Sequence, residues 1–195
     1  MESAVKKRII IGISGSSGVI YGIRLLEILK DIEEIESHLV MSSAGKMNVP
    51  IETDYSVKAV EALADVVHKY QDVAANISSG SYKTEGMIIA PCSMKTLSSI
   101  VSSYSDNLLS RAADVVLKEG RRLVLMPRET PLHTGHCKLL FEASQMGIFI
   151  APPVPAFYNR PTTLDDIINH SVGRVLDLFD IDTSIVKRWS GSKSE

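Results

Sequence analysis

Arg8-Ile-Ile-Ile-Gly-Ile-Ser-Gly-Ser-Ser-Gly-Val-Ile-Tyr-Gly22 decides the fold. The apolar run from Ile9 to Ile13 reads as a buried parallel strand. Gly12, Gly15 and Gly18 let the backbone turn tightly and come close to a ligand, while Ser14, Ser16 and Ser17 add hydroxyl donors. The helix that follows points its N-terminal N–H groups at the same spot, which favours an anion. Strand, glycine turn and helix in this order predict an α/β fold, with a phosphate or a flavin at the carboxyl end of the first strand.

Two common loops of this type do not fit. No Gly-Lys-Ser/Thr follows at the spacing of a phosphate-binding Walker loop. The glycines at 12, 15 and 18 are spaced three apart, whereas the dinucleotide fingerprint needs two and then three. The second apolar run ends in Leu39-Val-Met-Ser42, with no acidic residue placed to hold a ribose hydroxyl. Ser42 is instead placed to bond a phosphate or a flavin edge.

Composition narrows the class. A chain of 195 residues with 45% apolar content carries enough material for one full core. A formal charge of −2 gives no basic field for nucleic acid. The apolar runs are too short to span a bilayer, and Gly12 to Gly18 interrupt what would have to be a signal sequence. Two cysteines, Cys92 and Cys137, make no disulfide framework, so a reduced cytoplasmic compartment is expected. His133 and His136 sit three apart without further nearby ligands, so no metal is expected.

Short apolar runs alternate with helical periods along the whole chain. Strands are expected at Arg8–Ile13, Glu36–Met41, Gly86–Ala90, Leu123–Met126 and Ile148–Ala151, with a short one near Val66–Tyr70. Helices are expected at Val19–Lys30, Gly45–Val49, Ser56–Leu63, Met94–Val101, Asn107–Glu119, Gly135–Met146 and Leu164–Phe179. Thr162 with Asp165 has the spacing of a capping box for the last of these. Residues 1–7 and 190–195 read as flexible ends.

Polar residues gather where five strands end. Ser14–Ser17, Ser42, Pro91-Cys-Ser-Met-Lys-Thr96, Arg128-Glu129 and Tyr158 each follow a strand, and open parallel sheets bind ligands beyond those carboxyl ends. Ser93, Met94, Lys95 and Thr96 open a helix whose N–H groups and hydroxyls suit a flavin edge or a phosphate, although Ser93 also suits a plain helix cap. Glu129 beside Arg128 can act as a general acid or base in a closed pocket. Arg111 and Lys118 share one helix face, and Arg174 lies on the last helix; each is a solvated cation unless that face meets a ligand or another subunit. Tyr158 can offer its phenol to a phosphate or plug the core. Cys92 reads as a small buried residue, and Trp189 as a lid or an interface anchor.

Seven blocks occur together and in order: Gly15-Ser-Ser-Gly18, Glu52-Thr-Asp54, Pro91–Thr96, Arg111–Glu119, Pro127-Arg-Glu-Thr-Pro131, Pro152–Tyr158 and Arg188-Trp189. In these the chain resembles the flavin prenyltransferases of the UbiX/Pad type, formerly labelled aromatic-acid decarboxylases. The resemblance runs from about Arg8 to Trp189. It implies a single flavoprotein domain over residues 1–195, with a three-layer, flavodoxin-like/Rossmann-like open parallel sheet flanked by helices. It also implies a homo-oligomer, typically a dodecamer, with sites at subunit interfaces. Reduced FMN is the implied acceptor and dimethylallyl phosphate the implied donor, joined at flavin N5 and C6. The prenylated FMN passes to a UbiD-type decarboxylase.

By the same resemblance, Gly15, Ser16 and Ser17 form the flavin cradle, with Ser17 also near the donor phosphate. Ser42, Ser93, Met94, Lys95, Thr96 and Arg128 make further FMN contacts. Lys118, Arg111 (across an interface), Tyr158 and Arg174 bind the prenyl phosphate. Glu129 shuttles protons, and Glu52 is a second carboxylate near the flavin, contributed by a neighbouring subunit. Ser16 stands where many relatives have Ala, and Gly120 where a Lys-Glu-Arg-Arg version has Arg. Two other readings compete. A cysteine-type flavoprotein decarboxylase lacks its Asn-rich and Pro-Met-Asn segments here. A non-catalytic FMN-binding accessory subunit of an aromatic-acid decarboxylase would not need the intact Lys118, Arg128, Glu129 and Tyr158.

Overall fold

The computed structural model describes residues 6–186 and 191 of the chain. In chain order the elements are β1 (Lys7–Ile13), α1 (Val19–Lys30), β2 (Ile35–Met41), α2 (Ser43–Glu52), α3 (Val57–Glu61), β3 (Val66–His68), β4 (Gly86–Cys92), α4 (Met94–Val101), α5 (Leu108–Lys118), β5 (Arg122–Pro127), α6 (Thr134–Gln145), β6 (Phe149–Ile150) and α7 (Leu164–Asp177). A short 3-10 turn, Asn76–Ser78, lies in the long connection between β3 and β4. Arg188 and Trp189 lie outside the described residues.

All six strands pair in parallel in the order β3-β2-β1-β4-β5-β6. That is the doubly wound, Rossmann-like order, and its direction of winding reverses between β1 and β4. Alternate side chains of each strand feed two cores. Ile9, Ile11 and Ile13 pack with α1 and α7 on one face, while Ile10, Met87 and Ile89 pack with α4 and α5 on the other. Val19, Ile23, Leu26 and Leu29 give α1 a buried stripe at helical spacing. Each such side chain stabilises by about 1.5–3 kcal/mol relative to exposure.

Several boundaries differ from the sequence expectation, for identifiable reasons. β4 continues through Pro91 to Cys92, with an irregular register against β5. α2 runs on to Glu52 although Pro50 lies within it. The capping box of α7 sits one residue later than expected, at Thr163 and Asp166. Thr162-x-x-Asp165 and Thr163-x-x-Asp166 have the same spacing, but Asp166 collects the Thr162 and Thr163 N–H groups at 2.8 and 2.9 Å, and these bonds hold its carboxyl down at about 2.

A polar cluster fastens the β3–β4 connection to the sheet. His38 Nδ1 lies 2.9 Å from His68 Nε2, His38 Nε2 lies 2.8 Å from Glu36 Oε1, and Arg8 stacks over the Tyr82 ring. Burial pushes both imidazoles below their ordinary value; Glu36 opposes this at His38, whereas the His38 charge adds to it at His68. A histidine with a depressed folded-state pKa contributes fully above its unfolded pKa and loses that contribution as pH falls below it. Stability should therefore decline below about pH 6.5, by at most about 1.4 kcal/mol per pH unit for each imidazole. Urea midpoints measured at pH 7.5 and 5.5 check this. The His68→Gln variant should show a shallower decline, and equal slopes would remove the pair as its source.

Candidate active site

Ser14 builds the platform of the site. It is wholly buried where β1 and β4 end side by side. Its N–H and its hydroxyl both donate to Pro91 O, at 3.1 and 2.9 Å, and its oxygen accepts from Ser93 N at 2.7 Å. The expected ligand donor is thus a weld between two strand tips. It holds the Gly15–Ser17 loop beside the start of α4, at the winding reversal where open sheets bind ligands.

Beyond the weld opens a cleft of about 330 Å³ lined by Gly15, Ser42, Ser43, Ala44, Tyr70, Ser93, Lys95 and Thr96. A Cβ added to Gly15 would lie 2.5 Å from Ala44 Cβ, so only glycine lets the loop pass α2 here. Ser42 caps α2 by accepting from Gly45 N at 3.0 Å, which leaves its O–H to donate into the cleft. Ser93 caps α4, accepting from Thr96 N and donating to Thr96 Oγ1. Its hydroxyl is therefore spent on the helix, and Thr96 carries the free O–H. Lys95 is the exposed cation, whereas Met94 is half-buried against the core. Sequence reasoning missed Tyr70. It sits here because its carbonyl accepts from Leu108 N, at 2.9 Å, at the start of α5.

Among the described residues, two buried polar atoms at these tips have no partner: Ser16 Oγ and Arg128 Nε. Leaving a buried donor unpaired costs about 1–3 kcal/mol, so both point to a polar ligand. An anionic, many-hydroxyl ligand such as FMN fits this set. Ser16, Ser42 and Thr96 offer hydroxyls, Lys95 and Arg128 offer positive charge, and Gly15 offers room.

Glu52 is bonded within its own chain. Its Oε2 accepts from Gly18 N at 2.7 Å and from Val19 N at 3.1 Å in its own chain. The first N–H groups of α1 and its positive dipole end therefore hold an internal carboxylate, not a ligand anion. The longer α2 carries Glu52 there. Ser17, on the same loop, is exposed.

Glu129 follows β5 on the loop before α6 and is exposed, with its Oε1 accepting from Thr130 N at 3.1 Å. Arg128 N, one residue earlier, donates to Cys92 O at 3.3 Å. This bond ties the acid's loop to the tip of β4.

The four residues expected to hold a phosphate are not gathered within one chain. Arg111 and Lys118 ride on α5, on one face of the sheet; Arg174 rides on α7, on the other. Arg111 pairs with Asp114 at 2.7 Å and Arg174 with Asp177 at 2.7 Å, while Lys118 bonds Glu119. Lys118 lies beside Gly80, at the edge where β4 and β5 begin. Gly120, at φ 65°, ends α5 there and accommodates the left-handed turn better than an Arg. About 17 Å of β5 separates that edge from Arg128. Tyr158 is 49% exposed, with its hydroxyl 2.8 Å from His170 Nε2.

Cys92 is fully buried, which pushes its thiol up to about 12, so it is no nucleophile near neutral pH. The His133 and His136 ring centroids lie 3.7 Å apart with planes tilted by 34°, and His133 caps α6. Among the described residues no group of three His, Cys, Asp or Glu could hold a metal ion.

A family model described as Flavoprotein matches residues 1–186. The chain is 59% identical over 188 residues to the flavin prenyltransferase UbiX of Escherichia coli strain K12, covering 95% of this chain and 100% of that protein. It is 56% identical over 186 residues to the flavin prenyltransferase UbiX of Thauera aromatica, covering 95% of each. Among solved structures, AnUbiX (PadA1) in complex with FMN and dimethylallyl pyrophosphate superimposes with a TM-score of 0.94 at 48% identity, covering 96% of this chain and 100% of that one. A dodecameric FMN-dependent UbiX-like decarboxylase from Escherichia coli superimposes with a TM-score of 0.93 at 51% identity, covering 94% and 100%.

Proposed function

Because the chain belongs to the flavoprotein family, as a flavin prenyltransferase of the UbiX type, we propose that it transfers a dimethylallyl group from dimethylallyl phosphate to N5 and then C6 of reduced FMN. The observation that carries the flavin half is the cleft at the β1–β4 reversal, with unpartnered Ser16 Oγ on the loop that enters it and unpartnered Arg128 Nε just past the tip of neighbouring β5. Reduced FMN, as acceptor, supplies the electron-rich ring positions that attack the allylic carbon. The residues do the rest. Gly15, Ser16, Ser42, Lys95, Thr96 and Arg128 bind and orient the acceptor. Departure of phosphate builds negative charge on oxygen, which Lys118, Arg111, Arg174 and the Tyr158 phenol stabilise. Glu129 gives a proton to the departing phosphate oxygen as N5 bonds the allylic carbon and releases its own proton; in ring closure it relays the proton added to the prenyl double bond and the one given up by C6. Glu52 holds α1 and the loop in place, and its charge keeps a second anion off that helix end.

The scattered cations favour a homo-oligomer, a dodecamer like the UbiX-like neighbour, whose subunits complete one another's sites. Val154, Phe157 and Leu164 are each about 70% exposed on the isolated chain, and they suit a covered surface that would keep water from an allylic cation. No helix among the described residues is long and apolar enough to cross a membrane. The enzyme would work in the cytoplasm and pass its product to a UbiD-type decarboxylase.

An anaerobic reaction tests this directly. Protein, reduced FMN and dimethylallyl phosphate are mixed, and the flavin mass is read. A gain of one five-carbon unit is expected. Bound but unmodified flavin after many enzyme equivalents would leave the accessory-subunit reading standing.

A further inference from the structure

Tyr158 does not stand alone. Its hydroxyl lies 2.8 Å from His170 Nε2, and the two rings meet edge to face, with centroids 5.5 Å apart and planes at 78°. His170 is itself buried, on α7, one turn before Arg174. It borders two clefts. One, of about 220 Å³, is shared with Met126, Ala151, Val154 and Arg174; the other, of about 270 Å³, is shared with Asn159 and Asp166. Imidazole and guanidinium thus line one cleft beyond the ends of β5 and β6, and the phenol bonds that imidazole. Nothing in the motifs that identify the family pointed to His170, because it falls inside the amphipathic period of α7.

A phenol between an imidazole and an anion has one useful arrangement. If its O–H is to donate to a phosphate oxygen, its own oxygen must accept from the imidazole. We propose that His170 is a positioning residue for the prenyl-phosphate donor: its Nε2–H donates to the Tyr158 oxygen, fixes the ring and turns the phenolic O–H toward the phosphate. This rests on Tyr158 being a phosphate contact, as in the function proposed above. Burial keeps the imidazole neutral, helped by the nearby Arg174 charge and opposed by Asp177. It therefore serves as a hydrogen-bond donor in its Nε2–H tautomer, without taking the proton of the phenol.

Four variants separate the possibilities: His170→Leu, His170→Gln, Tyr158→Phe, and the double variant His170→Leu with Tyr158→Phe. KM for dimethylallyl phosphate, KM for reduced FMN, and kcat are measured for each, with thermal unfolding alongside. His170→Leu should raise the donor KM about five- to thirty-fold and leave the FMN KM within about two-fold. His170→Gln keeps an N–H donor and should stay within about three-fold of the parent. The double variant should be no worse than Tyr158→Phe, because both remove the same contact. A donor KM unchanged by His170→Leu but raised by Tyr158→Phe overturns the role of His170 and leaves the phosphate contact standing. A donor KM unchanged by Tyr158→Phe overturns the contact itself, and His170 with it. Should His170→Leu not fold, His170→Phe replaces it under the same criteria.

Discussion

Glu129→Ala is expected to lower prenyl transfer by about 10²- to 10⁴-fold while FMN still binds within a few-fold of the parent. The size follows from the task. Phosphate leaving an allylic carbon must receive a proton or strong charge stabilisation, and closure at C6 must add a proton to the prenyl double bond and release one from C6. Under the proposed function, the exposed carboxylate that follows β5 serves both. Flavin affinity should survive because Glu129 lines no part of the cleft at the β1–β4 reversal. Its carboxylate accepts only from the adjacent Thr130 N–H among the described residues, a local turn contact. Glu129→Gln refines the test. It keeps the size and the hydrogen bond but cannot move a proton, so it should resemble Ala in single-turnover rate. Full activity in either variant would remove Glu129 from the mechanism, and loss of flavin binding would recast it as a cradle residue.

The reason for trusting that site lies partly in what the chain spells locally. The run Ile9–Ile13, the glycine turn and the apolar face of α1 are near-neighbour patterns, and each formed where its period required. The same holds for the cluster of polar strand tips, because in a parallel sheet every carboxyl end lies on one edge. What depended on contacts distant in sequence was not legible. Ser14 looked like one of several equal hydroxyls in the loop, yet its partners are Pro91 and Ser93, 77 and 79 residues away. Tyr70 carries no motif, and it enters the cleft only because α5 begins on its carbonyl. The neighbouring-subunit place of Glu52 comes from the resemblance alone, and the helical period of α2 reads only to Val49. Three more residues of helix bring it to α1 of its own chain. Ser93 shows the opposite case: the plain cap competed with the ligand contact, and the cap took the hydroxyl.

The second large effect concerns Lys118, and it tests the assembly as well as the residue. Lys118→Ala should raise the donor KM by about ten- to a hundred-fold, the loss of one charge-assisted contact to phosphate, with little change in FMN affinity. A collapse of flavin affinity instead would show that the cation was assigned to the wrong ligand. Lys118 lies where β5 begins and Glu129 where it has ended, so a lysine cannot serve the Glu129 of its own chain. If the two meet, they meet between subunits. Mixing Lys118→Ala chains with Glu129→Ala chains, unfolding them together and refolding should then restore activity. Each mixed interface can pair an intact Glu129 from one chain with an intact Lys118 from the other. At equal amounts and random assembly, about one site in four is whole, so with donor held well below the parent KM, recovery to about a quarter of the parent rate is expected from one preparation slowed about ten- to a hundred-fold through its KM and one nearly inactive. A Lys118 that acted within its own chain, or only in folding, would give no recovery at any mixing ratio. Glu119 supplies a control. Its carboxyl is drawn below the usual range by the Lys118 ammonium it bonds, so Glu119→Gln frees that ammonium without removing it. It should leave the donor KM unchanged or lower, whereas a Lys118 needed only for its ion pair would make Glu119→Gln as damaging as Lys118→Ala.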